Sequence, residues 1–387
     1  HFADAEKMLR QALQRERTTL GPEDAITLST MYHLSTALVQ LDRLTESEKL
    51  LRELLVAERR ALGPENPLTL STLNSLASNL DQQGRFAEAQ QTYRELLDIQ
   101  RRVMGPEHPD TLWTMRSLGV SLESSGNKPE AESMYRATLA VMRRVLGEDH
   151  PMTVTCAEDL AILLRERGHL AESETMLRDD LAIARHAFGP ESPKTLLIMD
   201  NLGWTLRLEE RYAEAERLLR ETLAVDEKLQ GPDNPKTLDA SDNLAAVLRL
   251  EGHCEEAEKL YRRSFEVQKR DYGLGNPAAL EAARGFGVAL SCAHHYPEAD
   301  QLFRSAIDAA SKTSEHAGLA ETWYGFARAA AIAGHREEAL NHLQQAVEQK
   351  YEAAPEMDTD GDLRSLRGDP RFKALLAEAR QHIAPLH

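Results

Sequence analysis

The chain has 387 residues, 42% of them apolar and 28% charged, a balance that suits a folded, soluble protein. Its net charge of −17 argues against a nucleic-acid backbone or an anionic membrane surface as main partner, because both are gripped by clustered Lys and Arg. No apolar run approaches membrane-spanning length, and aromatic residues are scarce at 5%, so the core must come mostly from Leu and Ala, which points to helix packing.

A glycine recurs every 42 residues, at Gly21, Gly63, Gly105, Gly147, Gly189, Gly231 and Gly273. A Pro-bearing loop follows most of them: GPENPLTL at Gly63, GPEHPDTL at Gly105 and GPDNPKTL at Gly231. A fixed period in this range means a stack of like supersecondary units, which overrides the two or three separate cores that the length alone suggests.

In chain order, residues 1–20 read as the second helix of a truncated repeat, with Phe2, Ala5, Met8, Leu9 and Leu13 as a bare apolar stripe. Solenoid ends normally carry a polar cap, so the chain reads as a fragment, or the C-terminal part, of a longer protein. Residues 21–317 read as seven 42-residue units. In the unit from Asn66 to Gly105, Asn66 suits a helix N-cap and Pro67 the first helical position. His108-Pro109 and His150-Pro151 keep the proline with a poorer cap. Leu70, Leu73, Leu76, Ala77 and Leu80 then share one helical face as far as about Gln83. Gly84 ends that helix, and a second runs from about Phe86 to Val103 with Phe86, Ala89, Tyr93, Leu96 and Leu97 inward. The second-helix signature repeats as LTESEKLLR, FAEAQQTYR, LAESETMLR, YAEAERLLR and CEEAEKLYR, and the closing Arg is expected on the exposed side. Residues 318–350 read as a shorter helix pair without the long loop, and residues 351–387 as an acidic linker and a capping helix starting near Asp369-Pro370.

Leu76-Ala77, Gly84, Phe86 and Ala89, recurring as Leu118-Gly119 with Gly126 and as Leu202-Gly203 with Tyr212 and Ala215, resemble the tetratricopeptide (TPR) pattern. The long loop resembles the 42-residue TPR of the kinesin light chain type. The resemblance implies an all-α fold, a right-handed superhelical solenoid of helix-turn-helix repeats with the first helices lining a concave groove. The closing DLRSLRGDPRFKALLAEAR is similar to tails that follow TPR arrays in bacterial proteins, some with a serine/threonine kinase domain upstream.

No phosphate loop, HExxH, GxSxG or kinase motif is present, so the reading is a non-enzyme without a cofactor or metal. Asp358-Thr359-Asp360-Gly361-Asp362 is a poor EF-hand match: its glycine comes too early and no Glu stands twelfth. His294 and His295 are adjacent and diverge on a helix, and read as surface residues. Cys156, Cys254 and Cys292 show no metal spacing and are odd in number, so they read as packing residues of a reducing, cytoplasmic compartment.

Counted from the TPR template, the groove positions include Asn74 and Ser75, Trp113 and Arg116, Asp159 and Arg165, Asp200, Asn201, Trp204 and Arg207, and Asp242, Asn243 and Arg249. Asn201 and Asn243 are equivalent, and an amide there can clamp a peptide backbone or bond a neighbouring helix. Arg165, Arg207 and Arg249 align behind Glu158, Asp200 and Asp242; the arginines can fork onto a ligand carboxylate or pair with acids of adjacent repeats. Trp113 and Trp204 read as anchors or as packing between units. The functional expectation is a protein-interaction scaffold that holds peptide segments of partner proteins, with no nucleic-acid or membrane partner. The alternatives are the recruiting arm of a bacterial serine/threonine kinase and, ranked below it, a motor adaptor.

Overall fold

The computed structural model describes residues 2–313, 318–351 and 354–382. The expected unit boundary at 317 and residues 352–353 and 383–387 of the expected C-terminal region fall outside them. Every regular element among the described residues is helical, and the chain divides into two compact units, His1–Pro190 and Glu191–His387.

Unit 1 holds α1 (Phe2–Thr19), α2 (Ala25–Gln40), α3 (Leu44–Ala61), α4 (Pro67–Gln82), α5 (Phe86–Val103), α6 (Pro109–Ser124), α7 (Lys128–Val145), α8 (Pro151–Glu166) and α9 (Leu170–Ala187). Unit 2 holds α10 (Pro193–Leu208), α11 (Tyr212–Gln230), α12 (Pro235–Leu250), α13 (Cys254–Tyr272), α14 (Pro277–Cys292), α15 (Tyr296–Ser311), α16 (Leu319–Ile332), α17 (Arg336–Glu348), α18 (Ala354–Thr359), a 3-10 turn (Gly361–Leu366) and α19 (Pro370–His382). Within each unit the helices from α1 to α17 pack on their sequence neighbours, as helix pairs in a stack must.

Local chemistry sets the boundaries. The Asn66 side chain accepts the Leu68 N–H at 3.0 Å, and Asn234 and Asn276 repeat the bond. The two histidines expected to cap poorly do cap: Nδ1 of His108 accepts the Asp110 N–H and Nδ1 of His150 the Met152 N–H, both at 3.2 Å. Gly63 and Gly105 adopt φ of +93° and +97°, the left-handed region where a side chain is strained. At these two loops the Thr of the TL pair locks the turn, with Thr69 Oγ1 donating to the Gly63 carbonyl and Thr111 Oγ1 to the Gly105 carbonyl, both at 2.9 Å.

The first-helix stripe from Leu70 to Leu80 is buried throughout, and so are Ala89, Tyr93, Leu96 and Leu97 of the second, while Phe86 is half-buried. Small residues let paired helices approach. A Cβ on Gly119 would stand 2.6 Å from Tyr135, on Gly203 2.7 Å from Leu219, and on Gly287 2.3 Å from Phe303. Half of the α1 stripe, expected bare, is covered: Leu13 is buried in the cluster with Leu28 and Met31 of α2, whereas Phe2 and Met8 stay exposed.

The arginines that close the second-helix signature lie outside and reach one repeat onward. In unit 1 Arg10 meets Glu46 at 2.7 Å, Arg94 meets Glu130 at 3.3 Å and Arg136 meets Glu172 at 2.7 Å. In unit 2 Arg220 meets Glu256 at 2.9 Å. Exposed pairs of this kind add little stability, but their even spacing matches the register between neighbouring second helices.

One expectation is overturned. Cys254 and Cys292 form a disulfide, with Cα atoms 5.4 Å apart, and only Cys156 is free. The repeat brings the start of α13 against the end of α14, so residues 38 apart in sequence meet. The odd cysteine count therefore no longer argues for a reducing compartment. Cys156 is buried, and burial pushes its thiol up to about 12. Among the described residues no helix is long and apolar enough to cross a membrane.

Candidate binding face of the first helices

In unit 1 the face is largely self-satisfied. Arg116 forks onto Asp159 of the next first helix, at 2.5 Å from Nε and 3.0 Å from an Nη. Its guanidinium also lies 4.8 Å from the centre of the Trp113 ring, which is 39% exposed. Burial lowers the Arg116 pKa, but Asp159 outweighs it and the net shift is upward. Ser75 Oγ donates to the Ser71 carbonyl at 3.0 Å and shares a hydrogen bond with the Tyr32 hydroxyl at 3.3 Å. Asn74 keeps a buried Oδ1 with no partner. Glu158 and Arg165 of α8 are both buried.

In unit 2 the same positions behave differently. Asp200 and Asp242 sit deep in the face, and one carboxylate oxygen of each is buried without a partner. The other oxygen of Asp242 accepts from Ser264 Oγ at 2.8 Å. Burial, reinforced by Asp226 and Asp239, pushes Asp200 up to about 8. Burial likewise pushes Asp242 up to about 8, with Ser264 opposing and Asp239 and Glu281 adding repulsion. Isolated carboxyls in such surroundings keep their protons because the charged form loses its hydration.

The arginines of this unit do not pair with those acids. Arg207 has no ion pair among the described residues and lies 5.8 Å from the Trp204 ring centre, beside an indole that is 42% exposed. Its pKa is lowered, first by burial and then by the nearby Arg249 and Arg328. Arg249 donates to Asp362 at 2.9 Å, a residue of the 3-10 turn 113 positions further along the chain. Asn201 and Asn243 are both half-buried on this face, and Asn243 makes no side-chain hydrogen bond among the described residues.

The carboxylates of the turn gather a second arginine. Arg328 of α16 bonds Asp362 at 2.6 Å and Asp360 at 2.9 Å, and the Tyr324 hydroxyl donates to Asp360 at 2.8 Å. Burial pushes Asp362 up, but Arg249 and Arg328 outweigh it and hold the carboxyl below its ordinary value. Sequence reasoning counted neither Arg328 nor the two aspartates. The signal in the sequence is the acidic run 358–362, which as a linker and a poor EF-hand match points to no arginine partner. His295 bonds Glu258 at 2.9 Å through Nδ1.

Paired helices of constant length, small residues at their crossing points and one polar face shared by successive first helices define a helical-repeat protein. The family model for the tetratricopeptide repeat matches residues 27–102, 82–144, 129–185, 170–228, 206–270 and 236–312, and the chain belongs to that family. Among solved structures it resembles the nearly identical TPR-like repeats of a candidate kinesin light chain from Podosopora anserina, at 23% identity over 52% of this chain and 96% of that one, with a TM-score of 0.48. A tetratricopeptide repeat protein from Parabacteroides merdae is 16% identical over 80% of this chain and 98% of that one, TM-score 0.52. The apo quorum sensor NprR from B. thuringiensis is 15% identical over 89% of this chain and 96% of that one, TM-score 0.55. At these identities the likeness shows the fold alone. No curated protein matches the sequence. None of these matches supports a link to a kinase.

Proposed function

We propose that the chain is a protein-interaction scaffold and that the first-helix face within each unit holds peptide segments of partner proteins. The observation that carries this is hydrogen-bonding capacity left unspent along one face of unit 2: the orphaned oxygens of Asp200 and Asp242, the amide of Asn243 and the unpaired guanidinium of Arg207. Buried polar groups are nearly always satisfied in a finished core, so a row of unsatisfied ones marks a surface awaiting a partner. A peptide backbone supplies N–H donors for the carboxyl oxygens and both donors and acceptors for an amide. In unit 1, Asn74, Ser75, Trp113, Arg116, Asp159 and Arg165 form the corresponding face. The exposed indoles of Trp113 and Trp204 suit apolar side chains of the ligand. The net charge of −17 favours a protein partner over a nucleic acid, and the site offers binding with no reacting group poised for chemistry.

The test is a peptide array probed with the parent chain and with the Asn201→Ala, Asn243→Ala double variant. Captured peptides should bind the variant at least about tenfold more weakly, the equivalent of one or two hydrogen bonds. Unchanged affinity for every captured peptide, with helical content intact, removes the assignment of this face.

A further inference from the structure

We propose that Arg207, Arg249 and Arg328 form a carboxylate-binding site, which the chain's own Asp360-Gly361-Asp362 turn fills, and that an acidic segment of a partner protein enters by displacing that turn. The proposal rests on the first-helix face being a binding face and adds what it takes and how access is regulated.

Three observations carry it. First, the turn binds as a ligand would. Arg249 stands on α12 and Arg328 on α16, and a single carboxylate, that of Asp362, bridges the two at 2.9 and 2.6 Å. Asp360 completes the grip through Arg328 and Tyr324. Charge-assisted bonds that converge from two helices on one carboxylate are the geometry of recognition rather than of chain packing.

Second, the site is larger than its occupant. Arg249 and Arg328 hold the two carboxylates, whereas Arg207, near enough for both to act on it, is left without an ion pair among the described residues. A ligand with a third acid, or one that approaches from the α10 side, satisfies a charge the turn leaves bare.

Third, the apolar anchoring of the turn is separate from its acidic contacts. Leu363 and Leu366 are buried with Tyr324, Leu340 and Phe372 in a cluster built from α16, α17 and α19, whereas Arg249 lies on α12 outside that cluster. Reaching Arg249 is not needed to bury those leucines. A cap alone has no reason to place two carboxylates on this face. Asp360 also accepts the Asp362 N–H at 2.8 Å, which holds the two acids of Asp360-Gly361-Asp362 side by side.

The experiment uses the full chain and, as probe, a fluorescein-labelled synthetic peptide with the sequence of residues 356–368, EMDTDGDLRSLRG. In the Asp360→Asn, Asp362→Asn variant the turn loses its charges, and the probe should bind in trans at least about tenfold more tightly than to the parent. Adding Arg328→Gln to that variant should abolish the gain, and a probe with its three aspartates replaced by Asn should not bind. Equal affinity of parent and variant, or a gain that survives Arg328→Gln, makes the turn a permanent cap only and overturns the proposal. Should the double variant fold poorly by circular dichroism, hydrogen exchange on the unmodified chain gives the answer: excess probe should speed exchange of the amides at 361–366, and unchanged exchange overturns the proposal. Capture of array peptides by the parent with no response to the Asp360 and Asp362 changes leaves the binding face standing and sinks this inference alone.

Discussion

Units 1 and 2 use the same repeat to opposite ends. In unit 1 a groove arginine and a groove acid one repeat apart, Arg116 and Asp159, neutralise each other. In unit 2 the corresponding register puts Asp200 and Asp242 where unit 1 has Arg116, so acids face acids along the stack and neither aspartate forms an ion pair among the described residues. Arg207 forms no ion pair among the described residues, and Arg249 is neutralised by the C-terminal turn instead. The lesson is that a groove charge is paired across repeats only where a residue of opposite sign stands at or next to the equivalent position of the neighbouring repeat. Where the same sign recurs, the charge is either suppressed by protonation or supplied with a partner from elsewhere.

The largest effect that separates the units is expected from removing the arginines. Arg328→Ala strips Asp360 of its cation and leaves Asp362 with Arg249 alone, and should cost about 3–5 kcal/mol, the usual penalty for breaking a buried pair, whereas Arg116→Ala should cost about 1–3 kcal/mol because Asp159 can recover water. Urea unfolding of the two variants measures the difference, and equal losses would erase the contrast. Next comes the disulfide. Cys292→Ser should lower the stability of unit 2 by about 2–4 kcal/mol in oxidising buffer and by far less in reducing buffer. Hydrogen exchange should show unit 1 unmoved in both buffers.

The smallest effect is a pH slope. Asp200 and Asp242 have folded-state values of about 8, above the ordinary carboxylate value of about 4. The fold therefore favours their protonated form. Their contribution is fully present below about pH 4 and is lost as pH rises towards 8. Asp81 and Glu123 of unit 1 are also raised by burial, but each is relieved by a hydroxyl, from Ser121 and Tyr135. The Asp200→Asn, Asp242→Asn variant should thus flatten the fall in stability between about pH 4 and 8, read by urea unfolding at each pH. A slope identical to the parent's would show that these carboxyls are hydrated and that unit 2 is as well satisfied as unit 1.

Much of this protein was legible in the amino-acid order. Helix starts, turns and crossing points depend on residues within a few positions of one another: Asn66 before Pro67, Gly63 in its left-handed loop, Gly203 against Leu219. Because such local signals recur every 42 residues, they also determine the stack. The family and the face formed by the first helices follow from them.

What a groove charge meets depends on distances between elements far apart in the chain. The repeat constrains those distances only from one unit to the next. The bond from Arg249 to Asp362 spans 113 residues and crosses from the regular array to a non-repeating turn, so no period announces it. The Cys254–Cys292 pairing depends on two irregular residues placed at a junction between like helices. The partners of buried charges and of thiols were decided by tertiary structure, because Coulomb energy and covalent bonding act through space, whereas helix caps and glycine turns act along the chain.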